Sequence, residues 1–486
     1  MLYHSTRSAQ PCVDSAQAVL EGLAPDGGLY MPVSLPAFDW KKCLEGSSMD
    51  MATMILSALL PDIPDMPELV RRAYTGKFET EDLTPTVPVG DFGVLELFRG
   101  PTSAFKDVAL SMLPQLLTAA KTTKGMQKDI LILTATSGDT GKAALEGFHD
   151  VPGVRICVFY PYGGVSQVQR AQMVTQEGGN VAVCAVYGNF DDAQTGVKKI
   201  FAACQGRELP FALSSANSIN IGRLAPQIMY YFRAYRDLLD AGKISMGEEV
   251  NFSVPTGNFG DILAGYLAKQ LGLPVGTLIC ASNANNVLTD FIRTGTYDRQ
   301  RPLLKTTSPS MDILVSSNLE RLLYLLSGDT ELVAGLMKQL NENGSYTVPA
   351  ALLEKIRSEF WAAYCDDARA DEIMGRVYKE LGYLCDPHTA SGWAAAEDYV
   401  AETGDKRAMV VLSTASPYKF PVAVLTAIGG DTSGTEFDQM ERLSAMTGVA
   451  IPKNLAGLEG KEYKTPGIIQ AIDELLKAGF AADEAA

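Results

Sequence analysis

The sequence predicts an α/β protein: mainly parallel sheets of βαβ type, covered by helices on both faces, behind an α-rich entry segment. Three observations predict this. Strand-like apolar runs occur at 130–134, 155–160, 181–186, 250–254, 277–281 and 409–413, and near-continuous apolar strands are those buried on both faces. Helical stretches separate the runs, which is the βαβ alternation. Glycine turns follow several of the runs, at the strand ends where ligands bind in such sheets. A chain of 486 residues that is 47% hydrophobic can fill two or three such domains.

Taken in order, residues 1–85 read as the α-rich entry domain, ending near Thr84-Pro85-Thr86-Val87-Pro88. Pro101-Thr102-Ser103-Ala104-Phe105-Lys106-Asp107 opens an apolar segment. Ile130-Leu131-Ile132-Leu133 is a buried strand, followed by the turn Thr134-Ala135-Thr136-Ser137-Gly138-Asp139-Thr140-Gly141-Lys142 and the helical Ala143–Phe148. Ser215-Ala216-Asn217-Ser218-Ile219-Asn220-Ile221-Gly222-Arg223 places two asparagines and an arginine in an apolar stretch. Val250–Val254 is a strand, Pro255-Thr256-Gly257-Asn258-Phe259-Gly260-Asp261 a turn and Ile262–Lys269 a helix. Residues 316–380 are helix-rich, with Leu319, Leu322, Leu323 and Leu326 at core-facing spacing. Met409–Leu412 is a strand leading into Ser413-Thr414-Ala415-Ser416-Pro417-Tyr418-Lys419-Phe420-Pro421. The last residues, Ala481–Ala486, are expected to fray.

These turns carry the chemistry. An exposed lysine has a pKa near ~10.4 and is a poor nucleophile. Burial of Lys106 beside Phe105 disfavours its charge and makes an amine able to form a Schiff base, for which pyridoxal 5'-phosphate is the obvious aldehyde partner. A lone lysine is most often solvated, so the other turns decide the matter. Strand, glycine turn and helix at 250–269 aim backbone N–H groups at a phosphate. Gly257, Gly260 and Gly265 do not match GxGxxG, so the dinucleotide fingerprint fails and a monophosphate suits the loop better than a pyrophosphate. The 134–142 turn fails as a P-loop, because Gly138 lies three residues before Gly141 and Lys142 precedes Ala143. It remains a hydroxyl-rich helix start suited to a carboxylate or phosphate. Arg223 offers a planar cationic fork to oxygen anions, or to a structural salt bridge. A hydroxyl at 413–416 could meet a pyridine nitrogen without a full charge, or the segment is simply a proline-punctuated turn.

Composition excludes other classes. Lys and Arg total 41 against 57 acids, for a net charge of −16, which argues against nucleic acid and anionic membranes as partners. The longest charge-free stretch, Gln270–Thr289, is broken by Pro274 and three asparagines, so no membrane span is expected. Asp14 and Glu21 at the N-terminus argue against a signal peptide. Eight scattered cysteines without CxxC pairs read as free thiols in a reducing cytoplasm. The histidines number three, and Cys385/His388 is the sole close Cys/His pair, so no metal site is expected. No GxSxG elbow is present.

Together the five segments resemble the threonine synthase family, pyridoxal-phosphate enzymes of fold type II. The likeness extends from Tyr3-His4-Ser5-Thr6-Arg7 and Gly22–Pro32 to Asp386-Pro387-His388-Thr389-Ala390-Ser391-Gly392. It implies two doubly wound, mainly parallel sheet domains: a cofactor domain of 86–124 and 225–486, with 316–380 as a helix-rich insertion, and a smaller nested domain at 125–224. It implies a γ-elimination of phosphate from O-phospho-L-homoserine and addition of water at Cβ to give L-threonine. Lys106 would carry the cofactor. Gly257, Asn258, Phe259, Gly260 and Asp261 would form its phosphate loop, Thr414 would meet the pyridine nitrogen, and Asp139 would face the ring hydroxyl, where relatives of the fold often have Asn. Ser137 and Thr140 would hold substrate carboxylate or phosphate; Asn217 and Arg223 would bind the substrate phosphate. Relatives often have His where this chain has Ser416 and Trp where it has Ile221, so no proton-transfer role for that His carries over. The expected partner is this small-molecule substrate, for a cytoplasmic monomer or homodimer. A serine or threonine dehydratase of the same fold, and a phosphate-ligand binding homologue without turnover, remain the alternatives.

Overall fold

A computed structural model describes residues 1–188, 190–204 and 207–462 of the chain; the fraying expected at Ala481–Ala486 lies outside them. Among the described residues the larger sheet has six strands, in the order Phe360–Tyr364, Val275–Ser282, Val250–Pro255, Ala408–Ser413, Phe92–Glu96, Thr86–Val89. All neighbours are parallel except Thr86–Val89, which runs antiparallel at the edge. A second sheet of four parallel strands has the order Val181–Val186, Val154–Pro161, Asp129–Ala135, Phe211–Ser214. The six runs read from the sequence are all strands of these two sheets.

Their apolar continuity has the expected cause. Val410 and Leu412 pack in one core, while Met409 and Val411 pack in another on the opposite face. In the smaller sheet Ile130 and Ile132 join the first core, and Leu131 and Leu133 form a separate one. With side chains alternating at period two, a strand covered on both sides must be apolar at every position.

Four short strands of these sheets escape the sequence pattern. Thr86–Val89 contains Pro88, tolerated because an edge strand leaves one side unpaired. Phe92–Glu96, Phe211–Ser214 and Phe360–Tyr364 are only four or five residues long, too short for periodicity to declare itself. The last corrects the reading of 316–380. That stretch does carry the helices Leu319–Ser327, Thr330–Asn343, Ala350–Glu359 and Asp367–Leu381. It also supplies an edge strand of the large sheet, so it is not an insertion throughout. Leu319, Leu322 and Leu323 are buried as the stripe predicts, and Leu326 is half-buried against the same core. The entry segment has the helices Ser15–Glu21, Ser48–Leu59 and Met66–Tyr74, and beside them a three-stranded antiparallel sheet that the α-rich reading omits.

Two contacts fasten the pieces that carry the site. Fully buried Arg321 donates to Asn318 Oδ1 (2.5 Å), Ile219 O (2.6 Å) and Tyr30 O (3.3 Å), joining the entry segment, the 215–220 loop and the helix Leu319–Ser327. The helices Lys106–Thr123 and Asp139–Phe148 meet at Gly147, where an added Cβ would lie 2.0 Å from the Leu110 carbonyl oxygen. Among the described residues all eight cysteines are free thiols, no group of His, Cys, Asp and Glu is arranged to hold a metal ion, and no helix is long and apolar enough to cross a membrane.

Because a backbone oxygen cannot swing aside, G147A must push these helices apart. The expected cost is about 1–3 kcal/mol, in the range of overpacked interiors, read as a lower melting temperature; an unchanged melting temperature would refute the close approach.

Candidate active site

Lys106 is the first residue of its helix, and the loop before it is held by the large sheet. Ala104 and Ala415 form an isolated antiparallel bridge. Phe105 N donates to Thr414 O at 2.8 Å and Ser416 N to Ser103 O at 3.1 Å. Ser103 takes a left-handed φ of 58° to make this turn, a conformation that costs a non-glycine residue about 1–2 kcal/mol. The Asp107 carboxylate accepts from Thr102 N (2.8 Å) and from the Thr102 hydroxyl, closing the loop from its other side.

The Lys106 side chain is buried, with Nζ 4.6 Å from the Phe105 ring centroid and 4.0 Å from Asp139 Oδ2. Burial lowers its pKa to about 8 against the pull of Asp139, with Arg223 and Lys419 lowering it further. A fraction of the amine is therefore neutral at physiological pH, as a nucleophile requires.

Asp139 begins the helix Asp139–Phe148, after a turn in which Thr136 Oγ1 accepts from Gly138 N and Gly141 N, both at 2.9 Å. Its Oδ1 pairs with Lys419 Nζ at 2.5 Å and accepts from Gln169 Nε2 at 2.9 Å; its Oδ2 accepts from Ser310 Oγ at 3.2 Å. Burial alone would raise its pKa, but Lys419 and then Lys106 hold it well below the carboxylate range.

The turn Gly257–Asp261 joins the strand Val250–Pro255 to the helix Gly260–Gln270. Phe259 adopts a left-handed φ of 63°, its ring buried 5.6 Å from that of Phe360. A Cβ on Gly257 would meet Ser310 O at 2.8 Å, so glycine is required there by close approach. Asp261 Oδ1 accepts from the Tyr230 hydroxyl and, at 3.3 Å, from Tyr231 Oη, while Oδ2 is buried without a partner among the described residues. Burial pushes Asp261 up to about 7, against both tyrosine hydroxyls and the charge of Lys106.

Arg223 is buried in the short helix Ile221–Leu224. One Nη donates to Ala216 O, Nε has no partner, and no carboxylate pairs with it among the described residues. Burial lowers its pKa to about 10, still charged at neutral pH. A buried guanidinium without an anion is costly, and its free donors are available to one.

The residues given site roles from the sequence line a single cavity of about 620 Å³: Lys106, Ser137, Asp139, Thr140, Asn217, Arg223, Gly257, Asn258, Phe259, Gly260, Asp261 and Thr414. Asn220 does not join them. Its side chain caps Gly222 N (2.8 Å) and donates to Val19 O (2.8 Å), a structural role. Three residues of the site went unmarked in the sequence. His388 receives Ser310 N on Nε2 (3.1 Å) and holds Asp386 through Nδ1 (2.6 Å), while its ring borders the cavity. The Asp386-Pro387-His388 cap was its available signal. Ser310 comes from a long loop that lines one side of the cavity, and nothing in the local sequence marks it. Lys419 lies in a quoted turn, yet no spacing rule distinguishes it from a surface lysine.

A buried amine, a glycine turn at a helix start and an unpaired arginine around one cavity define a class. The pyridoxal-phosphate dependent enzyme family matches residues 82–414. On either side, the families described as threonine synthase N terminus and threonine synthase, C-terminal match residues 2–74 and 389–472. The chain is 38% identical over 465 residues to threonine synthase of Saccharomyces cerevisiae, covering 88% of this chain and 89% of that one. It is 40% identical over 432 residues to threonine synthase of Pseudomonas aeruginosa, covering 87% and 90%. Human threonine synthase-like 1 is 39% identical over 435 residues, which are 85% of this chain but 58% of that longer protein. The crystal structure of yeast threonine synthase superposes with a TM-score of 0.87 at 34% identity, over 98% of both chains. That of pyridoxal-phosphate-bound threonine synthase from Brucella melitensis gives 0.81 at 39% identity, over 91% of this chain and 95% of that one. The chain belongs to the threonine synthase family of pyridoxal-phosphate dependent enzymes.

Asp261 makes stability depend on pH with a definite sign. Its folded-state pKa of about 7 lies above the unfolded value of ~3.9, so the folded chain holds a proton that the unfolded chain releases. The stability this group contributes is complete below the unfolded pKa and is lost as pH rises through about 7. D261N is therefore expected to show a smaller decline in melting temperature from about pH 5 to about pH 8 than the wild type; an equal decline would mean that Asp261 is ionised throughout that range.

Proposed function

We propose that this chain converts O-phospho-L-homoserine and water into L-threonine and phosphate, using pyridoxal 5'-phosphate. The observation that carries the reading is the buried Lys106 amine sharing one cavity with a buried Arg223 that has no carboxylate partner. The residues present fit the cofactor. Lys106 would hold its aldehyde carbon, the N–H groups of the Gly257–Asp261 turn its phosphate, Thr414 its ring nitrogen and Asp139 its ring oxygen. Bound there, the cofactor supplies an electron sink for negative charge at the substrate's α-carbon.

The chain supplies the rest. The Lys106 amine would be the base that takes the Cα proton. The hydroxyls of Ser137 and Thr140, at a helix N-terminus, orient the substrate carboxylate or phosphate. Asn217 and Arg223 meet the γ-phosphate, and the guanidinium stabilises the charge that grows on it as the C–O bond breaks. The overall charge of −16 repels such a substrate, so attraction is local and Arg223 provides it. Ser310 and Met311 line the cavity, where they would limit the water that reaches the addition step. Free thiols throughout suit a reducing compartment, the cytoplasm, where the enzyme would act on this small molecule as a monomer or homodimer.

Phosphate released from phosphohomoserine, with threonine identified as the product, tests the reading; ammonia release from threonine without phosphate chemistry would replace it with a dehydratase. R223A is expected to keep the cofactor's visible absorption while kcat/KM for phosphohomoserine falls by about 10²-fold or more, the scale of losing one oxyanion contact. Unchanged kinetics would remove Arg223 from the substrate site. K106A is expected to lose both the covalent cofactor and turnover.

A further inference from the structure

Lys419 does not line the cavity, yet it is fully buried and charged groups surround it. We infer that Lys419 is a positioning residue for the reacting centre: it ties back one oxygen of Asp139, turns the other toward Lys106, and sets how strongly that nitrogen keeps a proton. The inference rests on the reading of Lys106 as the cofactor-bearing lysine.

The two oxygens of Asp139 are unequal. Oδ1 faces Lys419 at 2.5 Å and Gln169 Nε2 at 2.9 Å, whereas Oδ2 faces Ser310 Oγ at 3.2 Å and Lys106 Nζ at 4.0 Å. Lys419 is itself placed by the loop that places Lys106. Its Nζ donates to Thr102 O at 3.1 Å, its backbone N donates to Ser416 O at 3.1 Å, and Ser416 N donates to Ser103 O at 3.1 Å. The bridge that sets the nucleophile thus sets its electrostatic neighbour as well.

Two buried ammonium groups therefore share one carboxylate. Among the described residues Lys106 and Lys419 are the cations in ion-pair reach of Asp139. With Lys419 absent, Asp139 would serve Lys106 alone, and one positive charge would leave the neighbourhood. Both changes favour retention of the proton on the Lys106 nitrogen. The other charges in this ring belong to other elements. Arg223 on Ile221–Leu224 and Asp261 on Gly260–Gln270 act on Lys106, and His388 on Pro387–Thr403 acts on Asp139. Asp312, from the loop that also supplies Ser310, borders the cavity, and Asp107 faces Lys419 through Thr102. Among the described residues none of them lies in ion-pair reach of Asp139, so Lys419 is the group that divides its charge. Replacing a lysine that merely stapled the two loops would lower the melting temperature without effect on the proton at Lys106.

The test uses the enzyme with pyridoxal phosphate bound, and compares wild type, K419R, K419M, D139N and D139N/K419M. The readout is the pH midpoint of the visible absorption change, with melting temperature recorded for each. K419M is expected to move the midpoint to higher pH by about one unit or more, and K419R to stay near wild type. In the D139N background a buried Lys419 lacks the anion that keeps it charged, so K419M should there shift the midpoint less than half as far. A wild-type midpoint in K419M, or an equal shift in both backgrounds, overturns the inference while leaving the cofactor reading intact. Should K419M fail to fold, K419Q is read in its place: a rise of about one unit supports the inference, and a wild-type midpoint overturns it. Absence of any visible band in the wild type would overturn the cofactor reading, and the inference with it.

Discussion

A short antiparallel bridge between Ala104 and Ala415 is the constraint on which the site depends. Just before it, the parallel pairing of Ala408–Ser413 with Phe92–Glu96 runs one step further, with Leu97 N donating to Ser413 O at 2.9 Å. The strand end and the lysine loop thereby become a single rigid edge. That edge places Lys106 beside Thr414 and Lys419, although it lies more than three hundred positions before them in the chain. The left-handed Ser103 and the capped Asp107 carboxylate are what such an edge requires of its loop. The backbone strain is offset by four hydrogen bonds, each worth about 1 kcal/mol net: the pairs Phe105–Thr414, Ser416–Ser103, Lys419–Thr102 and Asp107–Thr102.

Around this edge the protein concentrates charge where charge is most expensive. Lys106, Lys419 and Arg223 face Asp139 and Asp261 in one buried neighbourhood. In water such groups would ignore one another beyond a few ångströms, but burial makes each sensitive to the protonation of the rest. The outcome is directional: Asp139 is held as an anion, Asp261 is poised near neutrality, and Lys106 is brought down toward neutrality. Arg223 keeps its charge and finds no anion within the protein. An oxyanion of the right size completes the set.

Most of this was legible in the sequence because the relevant turns announce themselves by composition. Long apolar strands followed by glycine and hydroxyl clusters located the 134–142 and 255–261 turns, and the lysine between Phe105 and Asp107 stood at the start of an apolar helix. What stayed hidden was whatever depends on distant pairing. Lys419 becomes a buried cation only because its turn folds back on Thr102. Ser310 reaches Asp139 from a loop with no local signature. Asn220 clusters with Asn217 and Arg223 in the sequence, but the chain turns its amide to Val19 instead. The short strand Phe360–Tyr364 gained its identity from Val275–Ser282 beside it, not from its own five residues.

The helix Lys106–Thr123 has a consequence for how the chain holds together. Its first residue serves the large sheet's edge, while Leu110 touches Gly147 and the body of the helix packs in the same core as Ile130, Ile132, Leu145 and Phe148 beneath the smaller sheet. That core also contains Val250, Phe252 and Val254 of the larger sheet. No cut through the sequence leaves either sheet with a complete interior. The two sheets are therefore a single cooperative melting unit, and a fragment carrying one of them alone would expose the apolar faces that the other now covers.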